Sequence, residues 1–309
     1  MALFSLIKNK NTQNDRSGLA VLLKELIDVQ RFIPYINTTD KLLTSNKAGN
    51  VKSAFKGRGI ELEEVREYAY GDDVRDMDWR VTARKSEPYI KVYNEEKDRE
   101  IVVLLDLTAS MVFGTRHELK SVTAAKIAAL LGWLSIKNKD RFGILIYDGQ
   151  NISYYKPQNN MKNLVSIFSK IAQKTNEILQ ANYEGSMAEA IKYFEYQQKG
   201  QGALFIISDF YNFTDEQFKS IAALSKKHQV FCIRIYDIIE KNAPEAGLYA
   251  AEYEGIHTIF DSFSDDFRNN YNNFFAQQRE FIKKNCQKSS CNYIEICSEA
   301  PFFKQFSIK

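Results

Sequence analysis

The stretch Ile101-Val102-Val103-Leu104-Leu105-Asp106-Leu107-Thr108-Ala109-Ser110 decides the fold. It opens on five apolar residues, stops them with a carboxylate, and then turns. A near-continuous apolar run of this length is what a strand buried on both faces requires, and such strands belong to parallel sheets covered by helices. The pattern returns three times, in RFGILIYD (141–148), GALFIISD (202–209) and VFCIRIYD (230–237). Helical patterns separate the runs, over 120–136, near 161–179 and 186–199, and over 215–227. Further on, 256–260 reads as a short strand, 265–284 as a long polar-aromatic helix and 292–297 as a last strand. ISYYK (152–156) reads as a short hairpin partner of the second run. Strands alternating with helices imply right-handed crossovers and a mostly parallel sheet flanked by helices, an α/β fold.

Upstream the pattern differs. Residues 18–36 carry apolar residues at helical spacing, broken by Pro34. A polar stretch follows, and then Gly57 to Glu100 mixes both signs of charge with aromatics and shows no long period. That segment reads as short strands and turns, with Gly71-Asp72 as turn chemistry. The expected organisation is residues 1–98 as an N-terminal helix and a small β-rich segment, and 99–309 as the α/β domain with its C-terminal helix and strand.

Each of the four buried runs ends in aspartate, Asp106, Asp148, Asp209 and Asp237. In an open parallel sheet all C-terminal strand ends lie on one edge, where ligands bind at the crevice of reversed strand order. A single Asp there is equally a helix cap, and Asp148 before Gly149 suits a turn. Asp106 is followed by Thr108 and Ser110, so one turn supplies a carboxylate and two hydroxyls at alternate positions. Hard oxygen ligands of this kind suit Mg²⁺, which keeps several waters and takes one or two carboxylates. Asp209 at another strand end and Ser186 at a helix start add oxygens, although Ser186 also suits an N-cap.

Composition removes several classes. The chain has 309 residues, 42 Lys+Arg against 39 Asp+Glu, and no basic block, so nucleic acid is not an expected partner. No apolar stretch approaches the roughly 18 residues needed to span a bilayer, and the N-terminus lacks the order of a secretory signal. The four cysteines show no C-x-x-C spacing and read as reduced thiols of a cytoplasmic protein. The three histidines lie in no H-E-x-x-H frame, and no G-x-x-x-x-G-K-[ST] occurs.

The arrangement Asp106-x-Thr108-x-Ser110, Ser186 and Asp209 resembles the metal-ion-dependent adhesion site (MIDAS) of von Willebrand factor A (vWA) domains, a Rossmann-like fold. The resemblance implies direct ligation by the hydroxyls of Thr108, Ser110 and Ser186, with Asp106 and Asp209 acting mainly through waters. Thr108 stands where that pattern has Ser, and Ser186 where it has Thr. The run from Gly57 to Arg84 resembles the signature of the domain-of-unknown-function-58 (DUF58) family. It keeps Gly57, Arg58, Gly59, Glu61, Glu64, Arg66, Tyr68, Gly71, Asp72, Asp73, Arg75, Asp78, Trp79, Arg80, Ala83 and Arg84. Ser208-Asp209-Phe210 and Asp237-x-x-Glu240 are later pieces of the same resemblance.

This likeness implies a bacterial, non-enzymatic binding module carrying Mg²⁺, or Mn²⁺ or Ca²⁺. Its expected partner is a MoxR-type AAA+ ATPase that contributes an acidic side chain. A metal-dependent hydrolase using the Asp-rich edge and a metal-free scaffold are the alternatives. For Arg66, Asp72, Asp73, Arg75, Asp78, Trp79, Arg80 and Arg84, three roles stay open: a network between the small segment and the sheet, a partner-docking surface, and a catalytic site.

Overall fold

A computed structural model describes residues 18–35, 60–95, 99–180, 183–197, 200, 202–244, 247–253 and 256–306. The start of the signature, Gly57 to Gly59, lies outside them, and so do the side chains of Glu61 and Glu64. In chain order the elements are α1 (Leu23–Asp28), β1 (Ile60–Glu67), α2 (Trp79–Lys85), β2 (Tyr89–Glu95), β3 (Glu100–Asp106) and α3 (Lys120–Lys137). There follow β4 (Arg141–Tyr147), β5 (Ile152–Gln158), α4 (Met161–Glu177), α5 (Met187–Gln197), β6 (Gly202–Ser208), α6 (Asp215–Ser225) and β7 (His228–Tyr236). The last are α7 (Ile238–Lys241), β8 (Leu248–Tyr253), β9 (Ile256–Asp261), α8 (Asp265–Lys288), β10 (Asn292–Cys297) and α9 (Phe302–Gln305).

The chain divides into two units, Met1–Leu42 with Arg99–Lys309, and Leu43–Asp98. In the larger unit six strands run in the order β10-β7-β6-β3-β4-β5. All neighbours are parallel except β4 and β5, which pair as an antiparallel hairpin. The four apolar runs form the middle of this sheet, and β3, β4 and β6 are buried from their second residue onward. α3 is buried from Lys120 to Ser135 except at Lys126, as expected of a helix that is apolar nearly all round. Chain order reverses between β3 and β6, so the ends of these two strands frame the switch point.

Three details differ from the sequence-based expectation. Residues 18–35 group with the sheet rather than with the small unit, because α1 packs on α3 and Trp133 Nε1 donates to the Leu26 carbonyl at 3.0 Å. The strand at 256–261 stands outside the main sheet and pairs antiparallel with β8, a strand the sequence did not reveal. The small unit contains a helix, α2, besides the antiparallel pair β1–β2. α2 is too short to display a period, but its start is fixed by Asp78, whose carboxylate accepts from Arg80 N and Val81 N.

Candidate metal-binding site

At the switch point Asp106 closes β3 and is 3% exposed. Its Oδ1 accepts from the backbone N–H of Thr108 at 2.9 Å and from the Thr108 hydroxyl at 2.7 Å. Its Oδ2 accepts from the hydroxyl of Ser208, the last residue of β6, at 2.6 Å. Ser208 in turn accepts from Phe210 N. Phe210 holds a left-handed backbone, φ 57°, a conformation that a bulky residue adopts at a cost and that tends to mark functional turns. Thr108 leads into a single 3-10 turn, Ala109–Met111, that brings its hydroxyl 3.4 Å from the hydroxyl of Ser110.

The turn is held from outside by close backbone contacts. Ala109 N donates to the Tyr183 carbonyl at 3.0 Å. A side chain at Gly149, φ +92°, would stand 2.3 Å from that same carbonyl oxygen. Gly185 meets Gly149 so closely that a Cβ would lie 2.6 Å from its backbone. Glycine is required at both positions for the loops to meet.

Asp209 follows β6 and is 6% exposed. Its Oδ1 accepts from Tyr211 N at 3.0 Å and its Oδ2 from Lys120 Nζ at 2.8 Å. Lys120, 2% exposed at the start of α3, also donates to Glu240 Oε1 at 2.7 Å. Glu240 Oε2 accepts from Asp237 N. Asp106, Thr108, Ser110, Asp209, Gly185 and Tyr211 are among the residues lining one small opening. Its free volume, about 10 Å³, suits a single water or small cation.

Four of the five residues expected at the metal therefore meet. Ser186 does not line the opening, although its neighbours Gly185 and Met187 do. Its hydroxyl accepts from Ala188 N at 3.3 Å and from Gln217 Nε2 at 3.0 Å, which makes it a helix cap tied to α6. The other strand-end aspartates are structural. Asp148 accepts from Gln150 N, Asn151 N and Lys174 Nζ. Asp237 accepts from Thr115, Ile239 N and Ser298.

The electrostatics are uneven. Burial, and next to it the charge of Asp209, pushes Asp106 up to about 6, against the Ser208 and Thr108 hydrogen bonds that favour its ionised form. Burial pushes Asp209 the same way, but the Lys120 ammonium outweighs it and holds Asp209 below the usual carboxylate range. Burial opposes the charge on Lys120, and Asp209 with Glu240 outweighs that, so its pKa is raised. Asp209 and Glu240 thus share the one Lys120 ammonium, and with Asp106 beside Asp209 the three carboxylates exceed it by two negative charges. Asp106 has hydrogen-bond donors but no cation. A divalent ion balances that excess, and the hydroxyls of Thr108 and Ser110 are hard ligands suited to Mg²⁺. Among the described residues no group of three His, Cys, Asp or Glu is poised for a metal. The donor set is of the mixed hydroxyl and carboxylate kind instead.

Ser208, Lys120 and Glu240 were not expected at the site. Ser208 was legible only as part of Ser208-Asp209-Phe210. Lys120 stands out in the sequence as a cation opening an otherwise apolar helix, a signal that goes with burial and pairing.

In the small unit the signature acids act locally. Asp72 forms a bidentate pair with Arg66, at 2.8 and 2.9 Å, and accepts from Ala69 N. Asp73 caps a 3-10 turn through Arg75 N, and Asp78 caps α2 and lies 3.7 Å from Lys91. Trp79 is 67% exposed, and Arg75, Arg80 and Arg84 are exposed.

Among the described residues no helix is long and apolar enough to cross a membrane. An uncharacterized protein of Mycobacterium tuberculosis, Rv1480, is 30% identical over 191 residues, 62% of this chain and 59% of that protein. The chain thus spans about three fifths of the length of the curated relatives it matches. Among solved structures it is similar to BatB from Bacteroides thetaiotaomicron, with 15% identity and a TM-score of 0.38 over 64% of this chain and 90% of that one. It is also similar to the SpRpn10 VWA domain, with 10% identity and a TM-score of 0.39 over 66% and 91%. The model of the family described as "Protein of unknown function DUF58" matches residues 64–281, well over half the chain, and the chain belongs to that family.

Proposed function

We propose that the chain is a non-enzymatic, divalent-metal-dependent protein-binding module of the MIDAS type. Asp106, Thr108, Ser110 and Asp209 hold Mg²⁺, with Mn²⁺ or Ca²⁺ as substitutes. The observation that carries this reading is the uncompensated charge at the switch point, where Asp106 lies beside Asp209 without a cation and Asp209 shares Lys120 with Glu240. When bound, the ion offers a coordination position to a partner carboxylate. The protein's own residues prepare that position. Ser208 and Thr108 fix both oxygens of Asp106, Lys120 fixes one oxygen of Asp209, and Thr108 and Ser110 present neutral oxygens side by side.

Two observations favour binding over hydrolysis. The oxygens of Asp106 and Asp209 already accept hydrogen bonds from protein donors, so neither is poised as a general base. The opening is small and admits an ion and one ligand atom more readily than a substrate. Family resemblance supports a cytoplasmic adaptor role with a MoxR-type AAA+ ATPase as the partner that supplies the acidic side chain.

Capture of such an ATPase by the full chain, with and without chelator, tests this reading. Binding should need the ion, survive Thr108→Ser, and fail in Asp106→Ala and Thr108→Val. Binding indifferent to chelator, or turnover of phosphoester or peptide substrates above the Asp106→Ala control, overturns it.

A further inference from the structure

The signature segment is only half explained by the fold of its own unit. Its acids have duties there, since Asp72 locks Arg66, Asp73 caps a turn and Asp78 caps α2. The side chains of Arg75, Arg80, Arg84 and Trp79 have none. Among the described residues no ion pair engages Arg75, Arg80 or Arg84, and no ring or cation contacts Trp79.

α2 arranges these groups on one side. Trp79 and Ala83 are four residues apart, as are Arg80 and Arg84, and all four are exposed. Residues at that spacing are neighbours on a helix, about 5–6 Å between Cβ atoms. The opposite side turns inward. Val81 and Thr82 are half-buried, and Thr82 Oγ1 accepts from Tyr89 N at 2.9 Å. A tryptophan left in water forgoes the burial that an aromatic side chain gains elsewhere. Two guanidinium groups beside it supply planar forks suited to carboxylates. Aromatic and Arg side chains are also the residues in which interface energy concentrates.

We propose that the Trp79–Arg80–Ala83–Arg84 face docks a short acidic segment of a protein partner. An apolar side chain of that segment covers Trp79, and its carboxylates pair with Arg80 and Arg84. The charge of the described part of the unit selects this class of ligand. Residues 60–95 contain ten Asp or Glu and six Lys or Arg. A nucleic acid or an anionic bilayer extends beyond the arginine face and meets that surplus of acid, whereas a short peptide touches the face alone. The surface needs no metal and does not depend on the switch-point site.

The test uses the full chain in chelator, so that the metal site contributes nothing. The probe is a fluorescein-labelled 12-residue peptide of Glu with Leu at every fourth position, followed by fluorescence anisotropy. A second peptide has Gln in place of Glu, and a third has Lys. The wild-type chain should bind the Glu peptide saturably and in a salt-sensitive way, and should ignore the Gln peptide. Arg80→Gln with Arg84→Gln should weaken binding at least tenfold, and Trp79→Ala several-fold, with unchanged thermal unfolding. Arg80→Glu with Arg84→Glu should abolish binding of the Glu peptide and gain binding of the Lys peptide. The proposal fails if the wild-type chain does not bind the Glu peptide, or if the Gln pair binds like wild type. It also fails if duplex DNA or phosphatidylserine vesicles bind more tightly than the peptide with the same arginine dependence.

Discussion

The switch point of the sheet and the strand pair with α2 use the same residue types in opposite ways. At the switch point Asp209 and Glu240, from two segments, share Lys120, and Asp106, from a third, has hydrogen-bond donors but no cation. In the small unit Asp72, Asp73 and Asp78 each answer to a partner within a few residues, and among the described residues Arg75, Arg80 and Arg84 form no ion pair. Charge buried without balance prepares a site for an ion. Charge spent on caps and turns builds a scaffold, and what it leaves over faces solvent. The contrast is the ground for proposing metal binding in one region and metal-free docking in the other.

The comparison breaks most readily at its two cations. Lys120→Met removes the buried cation shared by buried Asp209 and half-buried Glu240. It should cost about 3–5 kcal/mol in urea unfolding, the usual result of stranding one partner of a buried pair. Arg66→Ala removes a bidentate but partly exposed pair with Asp72, and should cost about 1 kcal/mol or less. If the two variants lose similar stability, the contrast between the regions is false.

A structural aspartate of the same sheet edge sharpens the distinction. Burial acts to raise Asp148, but the Lys174 ammonium and the N–H groups of Asn151 and Gln150 outweigh it and hold its pKa below the ordinary value. A depressed folded-state pKa means stability that is present above the unfolded pKa and lost as pH falls through the folded one. Asp148→Asn should thus destabilise by about 1.5–3 kcal/mol at pH 7, as for hydrogen bonds to charged groups. The difference from wild type should shrink below pH 3.8, with no response to Mg²⁺. A pH-independent difference contradicts the pairing. The smallest effect belongs to Trp79→Ala, which should change stability by no more than about 0.5 kcal/mol because the side chain is already in water. A loss of several kcal/mol would make Trp79 a core residue.

The legible parts of the fold are those whose signal is contiguous. β3, β4, β6 and β7 are apolar runs because both faces of each strand are covered, and that needs no knowledge of distant residues. β8 escaped because Leu248-Tyr249-Ala250-Ala251-Glu252-Tyr253 has no β-branched residue and pairs only with its hairpin neighbour. Asp106, Thr108 and Ser110 were legible for the same reason as the strands, being one turn of one loop. Asp209 was legible from its place at a strand end. The meeting of Asp209 and Glu240 with Lys120 was not, since Lys120 and Glu240 lie 120 residues apart, Lys120 has no local motif, and Glu240 was legible only within Asp237-x-x-Glu240. Ser186 shows the limit of position alone. It does start a helix beside the opening, but Gln217, on another helix, takes its hydroxyl.

The most direct test is a calorimetric titration of the chelator-stripped full chain with Mg²⁺, alongside Thr108→Ser and Thr108→Val. Valine keeps nearly the shape of threonine and deletes one hydroxyl oxygen from the opening. The expected result is one saturable site in the wild-type protein, similar affinity in Thr108→Ser, and at least tenfold weaker binding in Thr108→Val. Absence of saturable binding in the wild-type chain, or equal affinity in Thr108→Val, contradicts the assignment of the switch point as a metal site.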